Sequence, residues 1–337
     1  MNGLDRLTAD ARRRRALLAI GAAAAATLPT VLFAQPSATR RRIGFLSSES
    51  PSDPHQRQRL ELLRAALAAL GYAEGRNIAF ETRWAEGRYE RLPALAAELV
   101  AAKVETIVTS GTKATVAAHR ATSTVPIVMG STGDPIGWGL TTNLAHPSSN
   151  VTGSTNFSGE LAPKQFELLK QVAPRMRRAA YLVNPADRPP WLPAVHESAR
   201  ALNLAVEVVE AGTPEQLEPA FARIHATCDA VIVQSDTLFG VHAAAIARLA
   251  IAQRLASASS LAYYADAGGL ITYGPDQLEG YRRAATFVDK LLKGAKPGEL
   301  AIQGPTVFER VVNLRTARSL GIEIPRAMIL WAQRVIE

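Results

Sequence analysis

Small hydroxyl residues gather where short apolar runs of this chain end. Ser47-Ser48-Glu49-Ser50 follows the run over 43–46, Thr109-Ser110-Gly111-Thr112 closes the run over 106–110, and Gly130-Ser131-Thr132-Gly133-Asp134 closes the run over 126–130. Asn184-Pro185-Ala186-Asp187 and Gln234-Ser235-Asp236-Thr237 stand in the same relation to the runs over 179–184 and 230–235. At the end of a strand such residues serve one of two purposes. As caps they satisfy the free N–H groups of the helix that follows. As ligand contacts they leave those N–H groups, at the positive helix end, facing a carboxylate or another anion. The repetition at several strand ends favours a site. Asp134 and Asp236 add carboxylates that match a ligand ammonium or else cap a turn or helix. Tyr263 and Tyr264 offer rings to an apolar ligand body or else fill space between loops.

Catalytic constellations are missing from the sequence. The six histidines form no H-E-x-x-H, and His225 with Cys228 supplies two ligands where zinc needs three or four. The glycine-rich stretch 130–139 fits neither G-x-G-x-x-G nor a P-loop, and no G-x-S-x-G elbow occurs. The reading is therefore a chain without catalytic residues, metal or cofactor, not an enzyme.

The elements that must position these residues alternate. Strand-like segments over 43–46, 77–85, 106–110 and 126–130 are separated by helical spacing at Leu60, Leu63, Leu67 and Leu70, then over 92–102 and 112–122. The rhythm restarts with a helix over 161–172. Strands over 179–184, 205–211 and 230–235 then alternate with helices over 191–202, 214–226 and 241–255. This predicts an α/β chain of two Rossmann-like, doubly wound lobes with parallel sheets, joined near Gly153. A strand over 270–274, a helix over 276–293, and two short helices over 314–320 and 325–336 complete the lobes. In open sheets of this kind ligands bind beyond the carboxyl ends of the strands, where the hydroxyl clusters lie.

The chain has 337 residues, 47% hydrophobic and 20% charged, enough for two cores. Its net charge is +8, but up to Ala34 five arginines face two aspartates, so +3 of it belongs to the start. Apart from Arg40, Arg41 and Arg42, the remaining positive residues are interleaved with Glu and Asp, which argues against nucleic-acid binding. Cys228 is the single cysteine, so no internal disulfide forms, and the apolar run after it predicts a buried, inert thiol.

The first 34 residues read as a secretory signal peptide. Arg12 to Arg15 form the charged region, 16–27 the apolar region, Pro29 breaks the helix, and cleavage is expected near Ala34. The uncharged run over 16–34 is 19 residues, but the weakly apolar 21–26 and Pro29 favour cleavage over a membrane anchor. The arginines before Ala16, Leu17 and Leu18 leave Sec and twin-arginine export both open. With no cysteine beside the cleavage position, a lipid anchor is excluded and a free periplasmic product is expected.

Several segments resemble the ABC transporter substrate-binding proteins of the tryptophan and tyrosine binding type. They are Gly133-Asp134-Pro135-Ile136-Gly137, Asn143-Leu144-Ala145-His146-Pro147, Asn150-Val151-Thr152-Gly153 and Ala267-Gly268-Gly269-Leu270 with Thr272-Tyr273-Gly274-Pro275. The stretch 288–297, then Pro305-Thr306-Val307-Phe308-Glu309, Asn313-Leu314-Arg315-Thr316-Ala317, Leu320-Gly321-Ile322 and Ile324-Pro325 continue the likeness in order. The resemblance implies a type I periplasmic-binding fold with a multi-crossover hinge. It assigns 43–153 plus 274–303 to the N-terminal lobe and 154–273 plus 304–337 to the C-terminal lobe. It further implies a monomer that closes on a small ligand and is read by an inner-membrane ABC permease with separate ATPase subunits. The stretch 257–265 departs from the family pattern, so the likeness carries the fold further than it carries an aromatic ligand. Under this reading Ser47, Ser48, Ser110, Thr112, Ser131 and Thr132 hold the polar end of an amino acid or carboxylate-bearing solute from the first lobe. Asn184, Ser235 and Asp236 complete it from the second, with Tyr263 or Tyr264 beside the side chain. Two rivals are a periplasmic sensor subunit and an α/β enzyme acting in the cleft.

Overall fold

The computed structural model describes residues 40–337, so the expected signal peptide and its cleavage near Ala34 lie outside the described residues. Among these, no helix is long and apolar enough to cross a membrane.

The first half runs β1 (Arg41–Ser47), α1 (Pro54–Ala69), β2 (Ile78–Trp84), α2 (Leu92–Ala101), β3 (Thr106–Ser110), α3 (Thr112–Ala121), β4 (Ile127–Thr132) and β5 (Val151–Thr155). Its five strands pair in parallel in the order β2-β1-β3-β4-β5. Because helices cover both faces, β1 from Ile43 onward and all of β3 are buried rather than alternating. Asp53 starts α1 by accepting from the His55 and Gln56 N–H groups, with Pro54 in the first turn where its missing N–H costs nothing. The helix then lays Leu60, Leu63 and Leu67 against Ile43, Phe45 and Val108. On the other face Leu95 and Leu99 of α2 meet Ala114 and Ala118 of α3 over Leu46 and Ile107.

The second half begins with α4 (Ser158–Val172), β6 (Arg178–Val183), α5 (Leu192–Ala201), β7 (Ala205–Glu210), α6 (Leu217–Thr227) and β8 (Ala230–Val233). It continues through α7 (Thr237–Val241), α8 (Ala243–Ala252), β9 (Ala256–Ser259), α9 (Ala262–Asp266), β10 (Ile271–Pro275) and α10 (Gln277–Leu292). The chain ends with β11 (Phe308–Asn313), α11 (Leu314–Leu320), α12 (Arg326–Trp331) and β12 (Arg334–Ile336). Seven strands pair in the order β12-β11-β10-β9-β8-β6-β7, parallel except that β11 runs antiparallel to β10. Two apolar clusters, one around Phe166 and Tyr181 and one around Phe221 and Ile246, sandwich this sheet. Cys228 ends α6 within the second cluster, and burial raises its thiol pKa.

The chain passes between the two sheets three times. It leaves the first between Thr155 and Ser158, returns between Pro275 and Gln277 so that α10 packs on α1, β4 and β5, and leaves again between Gln303 and Phe308. The three passages lie side by side. Thr155 N–H donates to the Gln303 carbonyl at 2.9 Å, Gln303 N–H to the Gly153 carbonyl at 2.9 Å, and Asp276 N–H to the Val307 carbonyl at 3.0 Å.

Two local expectations are corrected, and one strand is found where none was expected. The helix expected over 325–336 stops at Trp331, and Arg334–Ile336 pairs with β11 as an edge strand, because Val335 and Ile336 gain more from a ladder than from another helical turn. The helix expected over 241–255 is observed as Ala243–Ala252, preceded by a separate short helix Thr237–Val241 that meets it at His242. The stretch 256–259, Ala-Ser-Ala-Ser, is a central strand despite lacking β-branched residues. Its serine hydroxyls are tied to backbone, Ser259 Oγ donating to the Val233 carbonyl and Ser257 Oγ accepting from Leu270 N–H.

Candidate functional site

The carboxyl ends of both sheets face one cleft with a cavity volume of about 60 Å³. From the first lobe come Ser48 and Glu49 after β1, Arg59 on α1, Tyr89 in a short 3-10 turn after β2, and Gly111, Thr112 and Lys113 where β3 passes into α3. From the second come Asp187 after β6, Ser235, Asp236 and Thr237 after β8, and Leu261 and Tyr263 after β9. Ser131, Asn156 and Gln277 complete the lining beside the interlobe passages.

Each wall has its own chemistry. Gly111 adopts φ +92°, and a Cβ there would fall 3.1 Å from Ser48 Oγ, so only glycine lets the loop lie against Ser48. The first turn of α3 has no side-chain cap, and Ser48 Oγ, on a residue 1% exposed, has no hydrogen-bond partner. This wall offers unshared donors to an anion.

The opposite wall is anionic. Asp236, buried, accepts from the Tyr89 hydroxyl at 2.6 Å, from Asn184 Nδ2 at 3.0 Å and from Leu238 N–H at 2.8 Å. Burial raises its pKa, and the hydrogen bonds from Tyr89 and Asn184 oppose the rise. Asp187, 8% exposed, is pushed up to about 7 by burial and by the Asp236 charge, with Lys113 pulling the other way. Lys113 Nζ stands 3.5 Å from Asp187 Oδ1, and this oxygen makes no hydrogen bond. Lys113 also lies 4.2 Å above the Trp138 ring. At the floor Arg59 and Glu49 form a pair at 3.2 Å. Burial raises the Glu49 pKa against the pull of Arg59, whereas for Arg59 burial is outweighed by Glu49 and Tyr281, so its shift is upward.

The lobes touch across the cleft. Tyr89 bonds Asp236, Lys113 approaches Asp187, and the His55 ring of α1 stacks on Tyr263 of α9 with centroids 4.2 Å apart. The contacts hold the walls close.

Of the residues singled out by sequence, Ser48, Thr112, Ser131, Ser235, Asp236 and Tyr263 line the cleft. The others stand outside its lining. Ser47 and Ser110 point into a buried network with Gln56 and Tyr281, and Thr132 bonds Thr115 at 2.8 Å. Asp134 caps its own turn by accepting from Gly137 N–H. Asn184 acts behind the wall, on Asp236. Tyr264, 2% exposed, fills the core beside Phe221. Sequence reading passed over Glu49, Arg59, Tyr89, Lys113, Asn156, Asp187 and Gln277. Glu49 and Asp187 belong to the same strand-end clusters and were within reach, whereas Arg59 and Tyr89 reach the cleft from elements whose pattern only shows packing. Among the described residues no group of three or more His, Cys, Asp or Glu is placed to hold a metal.

Comparison with known proteins agrees with this architecture. Residues 52–336 match the ABC transporter substrate binding protein family. A tyrosine-binding protein of Clostridioides difficile is 24% identical over 262 residues, 77% of this chain and 75% of the relative. The structure of an ABC domain in complex with L-Trp from Streptococcus pneumoniae superposes with a TM-score of 0.81 at 23% identity, over 88% of this chain and all of the other. A conserved domain protein of Vibrio cholerae gives 0.79 at 23% identity, over 88% of this chain and 99% of the other. Both share the two-lobed type I periplasmic-binding fold. With a family match running nearly the whole described length and a cleft between its two lobes, the chain belongs to the ABC transporter substrate binding proteins and is a binding protein, not an enzyme.

Proposed function

We propose that the chain is the periplasmic receptor of an ABC importer and captures an amino-acid-like zwitterion between its lobes. The observation that carries this reading is the pairing of walls. The uncapped start of α3 with the unpartnered Ser48 hydroxyl faces Asp187 and Asp236, so a carboxylate and an ammonium a few ångströms apart fit the two sides. The names of two similar proteins, one tyrosine-binding and one holding L-Trp, support an amino-acid backbone as the shared recognition element. Sheet membership supports a division into 43–153 plus 274–303 and 154–273 plus 304–337 except at the seams, where β5 runs on to Thr155 and β10 to Pro275, with ligand drawing the two together. The N-terminal 34 residues serve export, and the mature monomer hands its ligand to a permease with separate ATPase subunits.

Calorimetry against the twenty amino acids, on the parent chain and on Asp236→Ala, tests the reading. One or more amino acids should bind in the parent, and affinity should fall at least about tenfold in the variant, since a buried charge contact is worth 1.5–3 kcal/mol. Unchanged affinity in Asp236→Ala would remove Asp236 from the site, and an empty panel would remove the amino-acid reading.

A further inference from the structure

The amino-acid reading leaves the side chain of the ligand open, and the remaining wall of the cleft addresses it. Roughly 10–15 Å³ accommodates one water in a buried cavity, so a volume of about 60 Å³ takes the head group of an amino acid and little more. Leu261 is the single aliphatic residue in the lining. The Tyr263 ring already has one face against His55, and the Tyr89 hydroxyl is held by Asp236.

The third wall is a chain of amides and a hydroxyl. Ser131 Oγ donates to Gln277 Oε1 at 3.3 Å, and Asn156 Nδ2 donates to Ser131 Oγ at 3.4 Å. Both bonds are long, so the Ser131 hydroxyl and the Gln277 amide can turn to a better partner, while Asn156 is fixed by its Oδ1, which accepts from the Ser158 N–H and hydroxyl, and presents its Nδ2 as a donor. An indole or phenol ring pressed against this wall would strip water from three polar side chains, and its single N–H or O–H could satisfy only one of them. Sites built to hydrogen-bond a substrate group reject analogues lacking it by far more than one methylene in an apolar pocket is worth. Widening the cleft does not change this, because the chemistry of the walls moves with them.

Building on the zwitterion reading, we propose that Ser131, Asn156 and Gln277 form a polar side-chain subsite, and that the chain selects a short hydroxyl- or amide-bearing amino acid over an aromatic one. The α-carboxylate lies at Ser48 and the α3 start, the ammonium at Asp187 and Asp236, and the side-chain hydroxyl or amide exchanges hydrogen bonds with the third wall.

Calorimetry of the purified chain with serine, threonine, asparagine, alanine, tyrosine and tryptophan decides it. The tightest ligand among the three polar ones should bind at least about 100-fold more tightly than either aromatic. In Gln277→Leu the preference of that ligand over alanine should shrink about tenfold or more, a ratio that a general loss of folding would not move. Tighter binding of tyrosine or tryptophan, still abolished by Asp236→Ala, would overturn the polar subsite and leave the zwitterion reading standing. Binding of none of the six would overturn the polar subsite, and the zwitterion reading falls with it only if the other fourteen amino acids also fail to bind.

Discussion

Asp187 is a cleft carboxylate whose ionisation is made costly by burial, and its pH behaviour follows from that. Its folded-state pKa, about 7, lies above the ordinary 3.8. Below about 4 the group is protonated in the folded and unfolded chain alike. Between about 4 and about 7 the unfolded chain loses this proton while the folded one keeps it, so the contribution to stability falls as pH rises and is level above 7. Asp187→Asn should therefore raise Tm relative to the parent at pH 8, by about 2–4 °C for each kcal/mol relieved, and the gain should close toward pH 4. A Tm difference independent of pH would contradict the assignment. The same residue shows what kind of site chemistry sequence conveys. Hydroxyl and acidic residues after apolar runs pointed to the rim where the strand ends meet in the cleft, because strand ends are legible from composition. Which of them face the cleft was not: Ser47 and Ser48 are adjacent, yet alternation sends Ser47 to Gln56 and leaves Ser48 open.

Gly280 shows the same limit for an element. In an exposed helix Gly→Ala is a gain of about 1 kcal/mol, yet a Cβ at Gly280 would overlap the carbonyl oxygen of Gly130. The helix α10 sits on β4 through that contact, with Tyr281 against Gly130 and its hydroxyl 2.6 Å from Ser110 Oγ. Gly280→Ala should thus destabilise by about 1–3 kcal/mol, the usual cost of overpacking, measured by denaturant unfolding. A neutral or stabilising result would show that the helix can shift. The longer helices and most branched strands of this fold were readable from their periods, whereas β5, β11 and the short helices α7 and α9 were not assigned. The short strands β9 and β12 were not, since Ala-Ser-Ala-Ser carries no strand preference of its own and becomes a strand only because β8 and β10 flank it.

At the scale of the whole molecule the cleft is shut by contacts that need no ligand. His55 lies outside the cleft lining and stacks on Tyr263 across the lobes. Such a ring pair is worth about 0.5–1.5 kcal/mol. His55→Ala should speed ligand dissociation about 2- to 12-fold with little change in association, a split that stopped-flow kinetics reads directly. An equal change in both rates would mean that His55 does not hold the closed form. The threefold passage of the chain also dictates an order of assembly. The apolar face of β1, β3 and β4 presented by Ile43, Phe45, Val108 and Val128 is covered only in part by Leu60, Leu63 and Leu67 of α1, and the cover is completed when Tyr281, Phe287 and Val288 arrive on α10. Early strands must therefore wait for residues made more than a hundred positions later, and the lobe that begins the polypeptide cannot be the first to finish folding. A nascent chain halted before α10 would expose a greasy sheet, which makes the last third of the sequence the step on which solubility turns.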